Sequence, residues 1–166
     1  MKDLILSLKK RRKGILYLLK MVSPEIWIFK PHPTCRTTAE LANHLAGSPL
    51  MLLKLFKGEI NSEGEFNTQE KMNFPANSEG LVVLYEKSLN NLIAYLEQHL
   101  VDAKTENIRF FYKENNTSLY HEIFEEIGHE WFHLGQLFTY LRSNGISVDM
   151  GAYYGYKDPD PSIKPN

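Results

Sequence analysis

Apolar residues recur at three- and four-residue steps in four stretches of the chain, the spacing that lines one face of an α-helix. Over residues 2–22 the stripe is Leu4, Leu8, Ile15, Leu18, Leu19 and Val22, and Pro24 ends it. A second helix opens at Thr37-Thr38-Ala39-Glu40, where Thr37 and Glu40 have the spacing of a capping box that satisfies two orphan amides. It carries Leu41, His44 and Leu45, then Leu50 to Phe56, and stops at Gly58. Pro49 cannot donate to the carbonyl of Leu45, so a kink is expected there, or a restart with Ser48 as N-cap. The third helix starts at Asn77 or Ser78, with Leu81, Tyr85, Leu89, Leu92, Leu96 and Leu100 along one side. The fourth begins near Thr117 or Ser118, runs to about Ser143 and is stopped by Asn144-Gly145.

The intervening segments lack this period. Residues 59–76 are polar and read as a long connection without helical patterning. The linker after the third helix is irregular, with residues 108–112 at most a short edge strand. The tail over residues 146–166, with Pro159, Pro161 and Pro165, reads as irregular. No repeat or domain boundary interrupts residues 1–166. The expected fold is a single all-α domain, a four-helix bundle with long connections after helices 2 and 3.

Charge narrows the partners. The 166 residues include 19 Lys+Arg and 20 Asp+Glu, for a net charge of -1, so no whole-surface attraction to nucleic acid is expected. The run Lys9-Lys10-Arg11-Arg12-Lys13 could form a nucleic-acid patch or dock an anionic substrate, but five consecutive helical residues encircle the axis. A solvated face is the simpler reading. Arg11 or Arg12 falls in line with Leu8 and Ile15, so its aliphatic stem can cover the core while its head reaches solvent or a bundle carboxylate. No apolar run approaches the roughly 20 residues that span a bilayer. The basic run follows the apolar Leu4-Ile5-Leu6, in the wrong order for a signal peptide, so a cytoplasmic location is expected.

The single Cys35 excludes an intramolecular disulfide or a Cys-rich zinc site, and leaves any metal to imidazole and carboxylate. Six histidines are available. His129 and His133 in Gly128-His129-Glu130-Trp131-Phe132-His133 lie one turn apart, roughly 40° around the helix, and can bind one metal from the same face. Glu122, Glu126, Gln136 and Tyr140 fall within roughly 60° of His129, with the apolar arc of Ile123, Ile127, Leu134, Phe138 and Leu141 opposite. The pair therefore borders the buried face. The plainer reading makes these histidines margin residues bonded to carboxylates such as Glu126. His44 on the second helix is a third candidate ligand, against the plainer reading of a satisfied core-margin residue. His32 lies in a loop between two prolines, and His99 and His121 near helix ends read as solvated. Glu126 and Glu130 are candidate bases or partners of the ligands. Glu130, roughly 100° from His129 and nearer the apolar arc, equally suits a structural salt bridge.

His129-Glu130-x-x-His133 also spells the zincin metallohydrolase motif, in which the glutamate activates a metal-bound water. Its context is poor: no histidine and no glutamate follow, and Asp149 would have to be the third ligand. A non-catalytic helical interaction protein with structural histidines is a further alternative.

A wider set of residues extends the pattern: Ser23-Pro24-Glu25, Lys30-Pro31-His32-Pro33, Thr37-x-x-Glu40-x-x-x-His44, and His129-x-x-x-His133-x-Gly135-Gln136-Leu137-x-x-Tyr140-Leu141-Arg142-x-x-Gly145. On these the chain resembles the DinB/YfiT-like family of four-helix metalloproteins, which is unrelated to the similarly named DNA polymerase. It departs from the family at Cys35-Arg36, where a tryptophan often stands. The resemblance implies an up-down-down-up bundle, a Zn, Ni, Fe or Mn ion held by His44, His129 and His133, and a homodimer. It further implies a thiol S-transferase activity, in which a low-molecular-weight thiol such as bacillithiol, mycothiol or glutathione is passed to an electrophilic small molecule. Three neutral imidazoles suit that chemistry, because the metal keeps its full charge and holds a coordinating thiol as thiolate.

Overall fold

The computed structural model describes residues 1–72, 74–99 and 108–160. Leu100 of the third stripe, and Pro161 and Pro165 of the tail, lie outside the described residues. Four long helices form the bundle: α1 (Lys2–Lys20), α2 (Thr38–Phe56), α4 (Ser78–Gln98) and α5 (Leu119–Ser143). A shorter α3 (Glu63–Met72) and a single turn, α6 (Met150–Tyr153), are added to it, with a 3₁₀ turn at Pro24–Ile26. Among the described residues there is no strand, only an isolated antiparallel bridge between Ile108 and Thr117.

The stripes become the core. Leu8, Ile15 and Leu18 of α1, Leu81, Tyr85, Leu89, Leu92 and Leu96 of α4, and Ile123, Leu137 and Leu141 of α5 are fully buried. Side-chain contacts fix how the helices run. Lys9 reaches Glu97 and Arg12 reaches Glu86, so α1 and α4 are antiparallel. Gly47 faces Leu84 and Phe56 stacks on Tyr95, so α2 and α4 are parallel. His44 meets His129 and Ser48 meets Glu126, so α2 and α5 are antiparallel. These directions give the order up, down, down, up for the four long helices.

The expected capping box closes: Glu40 N–H donates to Thr37 Oγ1 at 3.1 Å and Thr37 N–H to Glu40 Oε2 at 2.7 Å. Asn77 and Ser118 cap α4 and α5 with their side chains alone, accepting from Gly80 and His121 N–H. Helix α2 neither stops nor restarts at Pro49. It runs on as one helix, because Leu45, Ala46, Met51 and Leu52 on either side are buried and hold the turn despite the missing amide. Ser48 is consequently not a cap, and its hydroxyl turns toward α5.

Two segments differ from the expected irregular connections. Within residues 59–76 lies α3, which buries none of its residues and so leaves no apolar stripe to read. Its start is nonetheless signalled: Ser62 Oγ accepts from Glu65 N–H at 3.2 Å, while the Glu65 carboxylate accepts from Asn61 N–H at 2.7 Å. In the tail, Asp149 caps α6 through Gly151 and Ala152 N–H, and Asp149 N–H donates to Tyr17 Oη at 2.8 Å. The turn docks on α1 at Gly14, where an added Cβ would stand 2.1 Å from the Tyr153 carbonyl oxygen.

The basic run is dispersed as its helical geometry requires. Lys9 pairs with Glu97, Arg12 with Glu86 and Lys13 with Asp158, while the Lys10 ammonium lies 5.1 Å from the Tyr156 ring centre. Arg11 turns inward to a buried ion pair with Glu130. The five cations tie α1 to α4, α5 and the tail.

Candidate metal centre

Helices α2 and α5 bring His44, His129 and His133 together, all half-buried, with one ring nitrogen of each within 4.8 Å of the others. The rings meet edge to face, with centroids 4.5 to 5.0 Å apart. His44 Nε2 and His129 Nε2 are 3.0 Å apart. Two nitrogens on a tetrahedral Zn²⁺ with bonds of about 2.0–2.1 Å are roughly 3.3 Å apart, so the pair lies close to that spacing.

Each imidazole has an oxygen acceptor behind it. His44 Nδ1 donates to the Glu70 carboxylate of α3. His129 Nδ1 lies 3.4 Å from both Glu126 Oε2 and Ser48 Oγ, and Ser48 Oγ–H donates to Glu126 Oε1 at 2.5 Å. His133 Nδ1 donates to Gln136 Oε1 at 2.7 Å. An ionised carboxylate only accepts, so the bond to Glu70 places a ring proton on His44 Nδ1 and leaves Nε2 facing His129. Acceptors behind ligand histidines orient the ring in this way at metal sites and make it more basic. The donor set fits a divalent transition ion: three imidazole nitrogens and, among the described residues, no thiolate or further ligand grouped with them.

The local electrostatics treat His133 and His129 oppositely. Burial lowers the His133 pKa to about 4, with the neighbouring His44 and His129 acting in the same direction, so the ring is neutral at physiological pH. Burial also acts to lower His129, but the hydrogen bond and charge of Glu126 and the charge of Glu130 outweigh it, and the net shift is upward. The hydrogen bond from His44 leads in holding Glu70 below the usual carboxylate range.

The other candidates separate cleanly. Glu126 supports His129. Glu130 does not face the histidines: its carboxylate is bound by Arg11 and by Tyr85 Oη at 3.4 Å, and it is wholly buried. Burial raises its pKa, against the lowering pull of Arg11. Asp149 caps α6 and pairs with Lys157 at 2.8 Å, away from the cluster. The zincin arrangement thus has neither its glutamate nor a downstream ligand in place. His32 and His121 are exposed, whereas His99 is half-buried and stacks on Tyr95 with centroids 4.1 Å apart, so it is not solvated as expected. Cys35 is a half-buried loop thiol beside Tyr140.

Three contributors escaped the sequence reading. Glu70 rides on α3, Ser48 enters the sequence reading only as the N-cap alternative to a kink at Pro49, and Asn43 is a buried polar residue beside His44. Only the Ser62-x-x-Glu65 spacing pointed toward the helix that carries Glu70. A cavity of about 580 Å³ opens against His44 and His129, between α2, α3 and α5, with Phe111 and Tyr112 from the loop before α5 among its walls.

The fold and the cluster define an all-helical bundle with a three-histidine centre. The chain resembles DinB-like proteins of known structure over most of its length. A DinB-like protein from Bacillus subtilis superposes with a TM-score of 0.64 at 22% identity, covering 88% of this chain and 94% of that one. A DinB-like protein from Bacillus cereus gives a TM-score of 0.71 at 16% identity, covering 90% and 95%. At these identities the likeness is one of fold. No protein-family model and no curated protein matches the sequence.

Proposed function

We propose that His44, His129 and His133 hold one divalent transition metal, Zn, Ni, Fe or Mn, and that the protein is a metal-dependent enzyme acting on a small molecule. One observation carries the metal reading. His44 Nε2 and His129 Nε2 lie 3.0 Å apart, near the spacing of two ligands on one ion, with a His133 ring nitrogen within 4.8 Å of both. A cation between them would take these nitrogens as ligands. Glu70, Glu126 and Gln136 fix the rings, and the adjoining cavity holds the substrate away from bulk water.

The reaction we infer is transfer of a low-molecular-weight thiol to an electrophile. The metal would supply the Lewis acidity that favours thiolate at neutral pH. Support comes from the nitrogen-only donor set, which keeps the ion electrophilic, and from the burial of Glu130 against Arg11, which removes the base of the hydrolytic alternative. A homodimer in the cytoplasm completes the proposal, and sedimentation at micromolar concentration tests its oligomeric part.

The deciding experiment is metal analysis of tag-free protein alongside His44→Ala. Near-stoichiometric metal that the variant loses supports the three-histidine site; metal retained by the variant, or none bound after Zn and Ni are offered, overturns it. Consumption of bacillithiol, mycothiol or glutathione with an electrophile such as monochlorobimane supports thiol transfer. Peptide or ester cleavage with no thiol consumption would replace it with hydrolysis.

A further inference from the structure

The cavity beside the histidines has a lopsided chemistry. Five carboxylates line it, from Glu63, Glu70, Glu122, Glu125 and Glu126, and among the described residues no Lys or Arg does. Glu122 and Glu126 are buried, at 3% and 9% exposure. Lys113 meets Glu122 and Glu125 from outside the lining, at 2.5 and 2.6 Å, His121 also reaches Glu125, and the charge of Arg36 acts on Glu70. With a divalent ion on the histidines, the lining would still be net negative. The rest of the wall is apolar, built from Leu50, Met51, Leu55, Phe66 and Leu84.

Two further observations point to a ligand. Asn43, 3% exposed, lines the cavity with its Oδ1 unpartnered, while its Nδ2 donates to the Glu70 carbonyl at 3.4 Å. A buried acceptor left without a donor keeps the desolvation cost that a hydrogen bond would offset. Gly47 sits in the middle of α2 on the same wall, in ordinary helical conformation, and an added Cβ would meet only Leu84, at 3.9 Å. Glycine there weakens the helix relative to alanine, because it loses more backbone freedom on folding. No close approach of backbone requires it; what it leaves is room in the cavity beside His44 and Ser48.

We propose that this cavity binds a small molecule with an apolar body and a protonated amine or other N–H donor head, and that it rejects carboxylates. The carboxylates of the lining can only accept when ionised, so the complementary head must donate. A positive head also offsets the charge of the lining, and the volume suits a fragment-sized organic cation. The inference deepens the proposed function by naming the charge class of its substrate, and it rests on the same site.

The test compares 4-phenylbutylamine, 4-phenylbutanol and 4-phenylbutyrate, which share an apolar body and differ in head group. Calorimetric titration is done on metal-loaded and chelator-stripped protein. The amine is expected to bind at least tenfold tighter than the alcohol in both, and the carboxylate more weakly than either. Gly47→Leu, which fills the wall without a clash at Cβ, is expected to weaken the amine at least tenfold. Glu63→Lys, at an exposed helix start, is expected to narrow the gap between amine and carboxylate. An amine that binds no tighter than the alcohol, or carboxylate binding that Gly47→Leu abolishes, overturns the proposal. So does amine binding that Gly47→Leu leaves unchanged. Metal titration of the same samples separates the two readings. Amine selectivity without metal binding sinks the metal centre alone; metal binding without amine selectivity sinks this inference alone.

Discussion

Arg11 and Glu130 form an ion pair between α1 and α5 with their side chains 4% and 1% exposed. Arg11 also donates to the Ile127 carbonyl at 3.3 Å and lies 5.8 Å from the Trp131 ring centre, so the guanidinium is fixed on several sides. Removing one member strands the other charge in the core, at a cost of about 3–5 kcal/mol. Arg11→Met and Glu130→Leu should each lower the urea midpoint strongly, and the double variant should recover much of that loss. Glu130→Gln should keep its metal, because Glu130 turns away from the histidines; metal loss in a folded Glu130→Gln protein would contradict this placement.

Two helical glycines should respond oppositely to alanine. Gly14→Ala forces a methyl into the Tyr153 carbonyl, 2.1 Å away, so α6 must lift from α1 and the protein should lose stability. Gly128 is exposed, in open space, and Gly128→Ala should gain about 0.5–1 kcal/mol from helix propensity. Thermal melts of the two variants beside the native protein check the pair of signs.

Glu70→Ala should weaken metal binding by about 10–100-fold without removing a ligand, since it deletes the acceptor behind His44. Ser48→Ala should act more mildly, because Glu126 remains behind His129. Saturating Zn or Ni should raise the melting temperature of the native protein, and less so in Glu70→Ala at equal metal. Competition with a chromophoric chelator measures the affinities.

Acid should weaken the start of α2 in a traceable way. The hydrogen bonds from Thr37 backbone and hydroxyl hold Glu40 below its ordinary value of 4.5. A lowered carboxyl pKa contributes stability that is present above the unfolded value and is lost as pH falls through the folded one. The native protein should therefore exceed Glu40→Gln in stability at pH 6, and the gap should close below pH 4.5. Thr37→Ala should cost about 1 kcal/mol at pH 6. Urea titrations across pH 3–6 follow both.

The four long helices and the histidine cluster were legible because each depends on periodic spacing. Arg11 was legible for the same reason, being in line with Leu8 and Ile15, although the line alone left its partner open. Helix α3 was hidden because it buries nothing, and with it Glu70, whose approach to His44 depends on packing between α2 and α3. Helix α6 is a single turn, too short for any period to show, and its cap Asp149 could be read equally as a spare ligand. Pro49 suggested a break because local rules count the lost amide and not the buried neighbours that hold the helix through it.

The acceptors behind the three histidines do not stand on equal footing. Glu126 and Gln136 belong to α5, which cannot move without dismantling the core. Glu70 belongs to a surface helix held to α2 by its own carboxylate on His44, its carbonyl on Asn43, and the neighbouring pair of Lys54 with Gln69. That helix buries none of its residues and packs only through half-buried side chains such as Phe66, so its opening is expected to cost less than unfolding of the bundle. His44 then loses its tautomer lock, and reciprocally a cation that strengthens the lock slows the opening. Amide exchange along Glu63–Met72 therefore reports the state of His44 even for a metal with no spectrum.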